Sequence, residues 1–228
     1  MIPSHVGVVD TETTGIDTKT CKIVEVGLVE DSASWESYVN PGEPIPPEVS
    51  AVHHITDDDV KDAPDWDTVK AKFSGYINAK GITILVAHNT DYDAAVLGLG
   101  PDQQWICTYR CALRQWPDAP SHKNEVLCYY LGVGSRGRKG RTGNSHSALF
   151  DANQTAAIFE ELLKHQSIET LLQWTKEPKQ FSKIMFGKHI GKKWHEIDSG
   201  YLQWMCKQPD MDKDIVGCAA RELQSRRG

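Results

Sequence analysis

The sequence predicts an α/β domain over one mixed sheet, followed by a small α+β module. Three observations carry that prediction. Three strand-like runs dense in valine and isoleucine come first, strands then alternate with helical stretches, and lysines accumulate from about residue 166 onward. A chain of 228 residues has room for one domain and an appendage. Hydrophobic residues at 39% against 25% charged suffice for a packed core, which excludes disorder along the whole length. The longest apolar stretch, 82–87 with Thr83 inside it, falls far short of the ~20 residues of a bilayer span. No membrane partner is expected.

Residues 6–9 and 22–29 read as buried strands, and 35–39 as the third strand of a meander. Pro41-Gly-Glu-Pro-Ile-Pro-Pro47 is a loop, because prolines at that density remove donors. Asp65 is positioned to cap a helix carrying Val69, Phe73 and Tyr76. The 82–87 run is a fourth strand, 91–97 a short helix ending at Gly98, 105–107 a fifth strand and 123–130 a helix. Glycines 132, 134, 137, 140 and 143 predict a mobile loop over 132–144. The 148–164 segment has the strongest helical pattern, with Ser147 as its N-cap. This organisation gives a main domain over 1–166, a linker over 167–182 and a module over 183–228. In the module, Phe186-Gly-Lys-His-Ile-Gly-Lys192 forms a hairpin turn and 202–207 and 212–223 are helical. A unit of about 50 residues is marginal alone and is expected to dock on the main domain.

The six cysteines, at 21, 107, 111, 128, 206 and 218, form no C-x-x-C pair and read as free thiols in a reducing cytoplasm. Met1 through His5 shows no basic start or apolar core, so export is not expected. The net charge of −6 makes the chain a poor passive binder of nucleic acid. If it handles phosphates, its positive charge must be local and its acids must have other work.

The acids fall in unusual places. Asp10 and Glu12 close the first strand on the face of Val6 and Val8, about 7 Å apart. Two carboxylates continuing a buried row are costly without a cation; if the strand has simply run out, both lie in solvent. Asp151 stands in line with Thr155, Ile158 and Leu162. It is either a surface acid balancing the helix dipole or a buried one beside a cation. Asp93 opens the short helix after the fourth strand, and Asp91 beside it reads equally as an N-cap. Acids from a strand end and two helix heads converge readily in an α/β fold. Oxygen clusters of this kind suit Mg²⁺ or Mn²⁺, and a pair of such ions about 3.5–4 Å apart serves phosphodiester cleavage. Bound cations also reverse the local sign, so an acidic protein can face phosphates.

Three segments carry a family resemblance: Val9-Asp10-Thr11-Glu12-Thr13-Thr14-Gly15, Ala87-His88-Asn89-Thr90-Asp91-Tyr92-Asp93 and His146-Ser147-Ala148-Leu149-Phe150-Asp151. With Ala51-Val52-His53-His54-Ile55-Thr56 between the first two, the chain resembles the DEDDh family of 3′→5′ exonucleases over about 1–165. The tail, with Phe186-Gly-Lys-His-Ile-Gly-Lys192 and Gly200-Tyr201-Leu202-Gln203-Trp204, is similar to that of the exodeoxyribonuclease X-like branch. The resemblance implies a ribonuclease H-like mixed five-stranded sheet flanked by helices. It implies that Asp10, Glu12, Asp93 and Asp151 hold two Mg²⁺ ions, with Mn²⁺ able to substitute, and that Asp10 bridges them. It makes His146 the general base toward the attacking water, at the end of the glycine-rich loop. Thr13, Thr14, Gly15 and Ile16 would bind the terminal nucleotide, His53 would lie beside it, and Asn89 would order the site. A buried histidine bonded to backbone is the alternative for His53.

Some signals are discounted. Gly132-Val-Gly-Ser-Arg-Gly137 matches G-x-G-x-x-G but follows a helix and precedes no helix, so no nucleotide cofactor is expected. Ser145 cannot converge with its neighbour His146 as nucleophile and base. Glu25, in an apolar strand, reads as structural. Arg136, Arg138, Lys139 and Arg141 are either a solvated run or a clamp on phosphates of the entering strand. Six lysines against Glu177 alone over 176–193 make the tail basic, and Trp194, Tyr201 and Trp204 either pack in its core or stack on bases. The resemblance thus implies an exonuclease on single- or double-stranded DNA with a free 3′ end, releasing 5′-mononucleotides. RNA stays open as the substrate, since recognition of a 2′-OH rests on one or two contacts. The remaining alternative is an inactive nucleic-acid-binding scaffold, against which stand all five expected active-site residues.

Overall fold

The computed structural model describes residues 1–133 and 147–227. The expected loop from 134 on, with Arg136, Arg138, Lys139, Arg141 and His146, lies outside the described residues. Strands β1 (Val6–Thr13), β2 (Ile23–Val29), β3 (Ser34–Tyr38), β4 (Ile84–Ala87) and β5 (Gln104–Cys107) form one sheet in the order β3-β2-β1-β4-β5. The first three run antiparallel, while β4 and β5 add parallel to β1. This is the mixed five-stranded sheet that the sequence predicts.

The helices are α1 (Pro47–His53), α2 (Asp57–Val60), α3 (Trp66–Lys80), α4 (Thr90–Leu97), α5 (Thr108–Gln115), α6 (Asn124–Tyr130), α7 (Ala148–Leu163), α8 (Ile168–Lys176), α9 (Ser199–Cys206) and α10 (Lys213–Ser225). Asp65 and Ser147 cap α3 and α7 through their side chains, as expected. Helices α1, α2 and α5 occupy stretches to which the sequence reading assigned almost no element, only Pro47 having been read as loop. Pro47 starts α1 at a position where a missing N–H costs nothing. Helix α8 lies inside the stretch read as a linker, and its fully buried Leu171 joins the core beneath α7.

Two layers sandwich the sheet. Val6, Val8 and Val86 face Ala152, Ile158, Phe159 and Leu162 of α7. Val9, Val26, Leu28 and Leu85 face Val69, Phe73 and Ile77 of α3. The same alternation places Asp10 and Glu12 on the α7 side. Strand β1 does not stop at Val9 but runs to Thr13, pairing Asp10 with Gly27 and Glu12 with Glu25. The two acids therefore stand within the sheet, and the reading that leaves them in solvent beyond a finished strand does not hold.

Gly27 and Glu25 together bring α7 down onto the sheet. A Cβ at Gly27 would lie 2.4 Å from the Leu149 nitrogen and 2.7 Å from the Ala148 carbonyl carbon, so only glycine permits this approach. Glu25 is buried, and its Oε2 accepts the Ala148 N–H at 2.7 Å. That bond satisfies a donor in the first turn and places a carboxylate at the positive end of the helix. Gly27→Ala is expected to cost about 3 kcal/mol, since backbone rather than a flexible side chain must yield. A urea titration checks this, and an unchanged midpoint would contradict the packing.

The tail has its own core of Ile184, Trp194, Ile197, Leu202, Met205 and Ile215. Its only β pairing among the described residues is the bridge between Lys183 and Lys193, which closes the expected turn. Trp194 belongs to this core and donates from Nε1 to the Phe181 carbonyl at 2.6 Å. Trp204 is 47% exposed and stacks on Tyr201 at 5.1 Å. Ion pairs join the tail to the main domain: Arg110 of α5 meets Asp214 of α10 at 4.0 Å, and Lys179 meets Asp91 of α4 at 3.8 Å; Asp91 also meets Arg110 at 2.8 Å, and Asp214 meets Lys179 at 3.5 Å. Asp91 thus ties α4 to its neighbours, and Asn89 rather than Asp91 is the N-cap residue.

Candidate active site

Among the described residues, Asp10, Glu12 and Asp151 form a cluster whose carboxylate oxygens lie within 4.8 Å of one another. Strand alternation places the first two, and the close approach at Gly27 delivers Asp151 from the first turn of α7. Asp10 and Asp151 line an open cleft of about 480 Å³ together with His88, Asn89, Asp93 and Lys123. Asp93, buried in α4, accepts the Thr11 hydroxyl at 3.0 Å. It stands beside the three-acid cluster rather than within it.

The electrostatics show what the cluster lacks. Burial, then the negative charges of Asp93, Asp151, Glu12 and Glu25, hold the Asp10 carboxyl well above the ordinary carboxylate range. Glu12 is pushed up to about 8 by burial and by Asp151, Glu25 and Asp93. Burial raises Asp93 to about 7, against the hydrogen bonds from Thr11. Acids that repel one another while sharing a small oxygen-lined space are matched to a hard divalent cation. The donor set therefore fits Mg²⁺ or Mn²⁺.

These raised values have a consequence for stability. Between about pH 5 and 8 the folded chain retains protons that unfolded carboxyls, with pKa near 4, have released. Unfolding then releases protons, so stability is full in mild acid and falls as pH rises through the folded-state values. The metal-free protein is expected to lose several degrees of melting temperature from about pH 5 to 8, and saturating Mg²⁺ should restore them. Calorimetry at both pH values checks this; a flat metal-free profile would contradict the crowding of the acids.

The turn after β1 is held from within. The Tyr92 hydroxyl donates to the Gly15 carbonyl at 2.6 Å and also meets the Thr13 hydroxyl. The Thr14 hydroxyl accepts the Lys22 N–H at 2.9 Å. Ile16, just beyond, is 94% exposed. His53 is buried, and its Nδ1 accepts the Ile55 N–H at 3.0 Å, which matches the backbone-bonded alternative. Its Nε2 has no hydrogen bond of good geometry, although the Thr13 backbone acts to raise its pKa; burial outweighs that and lowers it. Asn89 is exposed at the head of α4.

Sequence reasoning passed over three contributors: Thr11 orients Asp93, Tyr92 secures the turn, and Lys123 brings a cation to the cleft. Glu25, read as structural, does hold the first turn of α7, and it also adds charge to the acids. Thr11 and Tyr92 lie inside the quoted motifs, which was their only signal.

A family model described as an exonuclease matches residues 8–159. The chain belongs to this exonuclease family. Among relatives, exodeoxyribonuclease 10 of Escherichia coli (strain K12) is 29% identical over 210 residues, covering 89% of this chain and 91% of the relative. The DNA polymerase III subunit epsilon of Treponema pallidum (strain Nichols) is 30% identical over 171 residues, covering 69% of this chain and 76% of the relative. A solved structure of exonuclease X in complex with 5′ overhanging duplex DNA matches with a TM-score of 0.64 at 29% identity, covering 75% of this chain and 99% of that one. The nuclease domain of 3′hExo, a DEDDh family member bound to rAMP, shares the fold at a TM-score of 0.57 and 18% identity, covering 70% and 91%. The ribonuclease H-like expectation for this exonuclease thus stands. No described helix is long and apolar enough to cross a membrane.

Proposed function

We propose that the protein is a metal-dependent 3′→5′ exonuclease that removes 5′-mononucleotides from DNA. The observation that carries this reading is the convergence of Asp10, Glu12 and Asp151 within 4.8 Å, with the carboxyls of Asp10 and Glu12 raised in proton affinity, beside an open cleft. Asp10, Glu12 and Asp151 would hold one divalent cation, Asp10 would be shared with a second, and Asp93 would complete the acidic ring. Mg²⁺, with Mn²⁺ able to substitute, supplies activation of the attacking water and neutralises charge at the leaving oxygen. His146 takes the proton from that water. Thr13, Thr14, Gly15 and the exposed Ile16 receive the terminal nucleotide, with His53 behind the turn and Asn89 at the cleft rim. Arg136, Arg138, Lys139 and Arg141 hold phosphates of the entering strand. The names of exodeoxyribonuclease 10 and of the DNA-bound exonuclease X support DNA over RNA.

Matched DNA and RNA strands, labelled at one end and blocked at either, test this reading in Mg²⁺, Mn²⁺ and chelator. Stepwise loss from a free 3′ end of DNA, abolished by chelator, is expected. Shortening from the 5′ end, or digestion that survives chelation, would overturn it; a preference for RNA would transfer the same chemistry to the other sugar.

A further inference from the structure

The active-site cleft adjoins a second cavity, and Lys123 lines both. This cavity, of about 280 Å³, lies between the two parts of the chain: Tyr109, Leu113 and His122 form one wall, Phe181, Lys183 and Met185 the other. The common wall is tightly held. His88 bonds the His122 carbonyl at 2.8 Å, His122 bonds the Trp116 carbonyl at 2.9 Å, and Tyr109 packs edge-on against both imidazoles, with centroids 5.8 and 6.4 Å away. The opposite wall is anchored by the Trp194 bond to Phe181 and by the ion pairs of Lys179 with Asp91 and Asp214.

The lining has a recognisable chemistry. Flat and flexible apolar groups, Tyr109, Phe181 and Met185, alternate with two amines, Lys123 and Lys183. Both lysines are exposed and form no ion pair among the described residues. Met185 is 64% exposed, an apolar group held in solvent beside a cavity. Aromatic and apolar platforms flanked by cations are what a nucleic-acid strand needs, the bases stacking while phosphates meet the amines. The volume lies just under the roughly 300 Å³ at which drug-sized pockets begin and suits a single base. The same module presents Lys188 5.0 Å over Tyr201, with Trp204 stacked on that ring, so basic and aromatic groups continue on its surface.

We propose that this cavity is a subsite for the substrate strand upstream of the scissile 3′-terminal phosphodiester, with a base between Tyr109 and Met185 and neighbouring phosphates on Lys123 and Lys183. The proposal rests on the exonuclease reading of the adjoining cleft. It gives the C-terminal module a role: it builds one wall of the strand's path.

Lys183→Glu and Met185→Asp test it, both altering exposed side chains. Two substrates are compared in the full-length protein: a single-stranded DNA of about 16 nucleotides, and 4-nitrophenyl thymidine 5′-phosphate, which has no upstream strand. In each variant the ratio of kcat/KM on the oligomer to that on the ester should fall about tenfold. For Lys183→Glu, the slope of log kcat/KM on the oligomer against log salt should shrink by about 0.7, one phosphate contact. That slope is read on the oligomer alone, whatever the ester does. An unchanged ratio and slope in both variants would overturn the subsite. Wild-type protein that leaves both substrates intact would instead remove the exonuclease reading, and the subsite with it.

Discussion

Replacing Asp10 with asparagine is expected to lower nucleotide release by about 10³-fold or more while raising the melting temperature of the metal-free protein. The first effect follows from its position. Asp10 is the residue proposed to touch both cations, whose charge stabilisation is worth several kcal/mol in such sites, and about 4 kcal/mol corresponds to 10³ in rate. The second follows from its surroundings. Asp10 is pressed by Asp93, Asp151, Glu12 and Glu25, so a neutral amide of the same shape relieves repulsion. Quantifying released mononucleotide and scanning the variant by calorimetry in chelator check both. Opposite signs for activity and stability mark a functional acid; a loss of both would make Asp10 a structural residue, and retained activity would end the metal-site account.

Changing His146 to alanine should slow turnover by about 10²–10⁴-fold and leave divalent-cation affinity unchanged. The histidines of the described active-site region, His88 and His53, are engaged elsewhere. His88 lines the cleft, but one ring nitrogen meets the Thr108 hydroxyl at 2.9 Å and the other the His122 carbonyl at 2.8 Å. Burial lowers its pKa to about 4, so it stays neutral with both nitrogens engaged. His53 is buried and bonded to Ile55 through Nδ1, and burial lowers its pKa too. Neither is suited to collect a proton near neutral pH. His146 directly precedes Ser147, the cap of α7, and lies five residues before Asp151. Rates from single-turnover digestion and Mn²⁺ titrations of the variant check this. A collapse of metal affinity would make His146 a ligand, and an unaltered rate would assign the base elsewhere.

The acids were legible in the sequence because two periodicities expose them. Asp10 and Glu12 continue the two-residue repeat of Val6 and Val8, and Asp151 continues the helical row through Thr155, Ile158 and Leu162. The caps at Asp65 and Ser147 were legible for a local reason, a side-chain oxygen three residues before the N–H it accepts. What brings the acids together was not. Gly27 reads as one more small residue in a strand until α7 lies against it, and Glu25 reads as an interruption until the Ala148 N–H is found at its oxygen. Both act across more than 120 residues of chain, a separation that no local pattern encodes. Helix α8 escaped for a related reason: it is short, and its place is fixed by burying Leu171 under a core assembled elsewhere. The tail lysines showed as composition, but which of them reaches the cavity beside the cleft depends on how the tail docks through Arg110 with Asp214 and Lys179 with Asp91.

The proposed chemistry requires Asp10, Glu12 and Asp151 to make one divalent-cation site. Crystals grown with Mn²⁺ and recorded at its absorption edge test it most directly. Anomalous density is expected among those three carboxylates and should be lost in crystals of an Asp151→Asn variant. Ordered carboxylates with no such density, in a protein that still digests DNA in Mn²⁺, would contradict it.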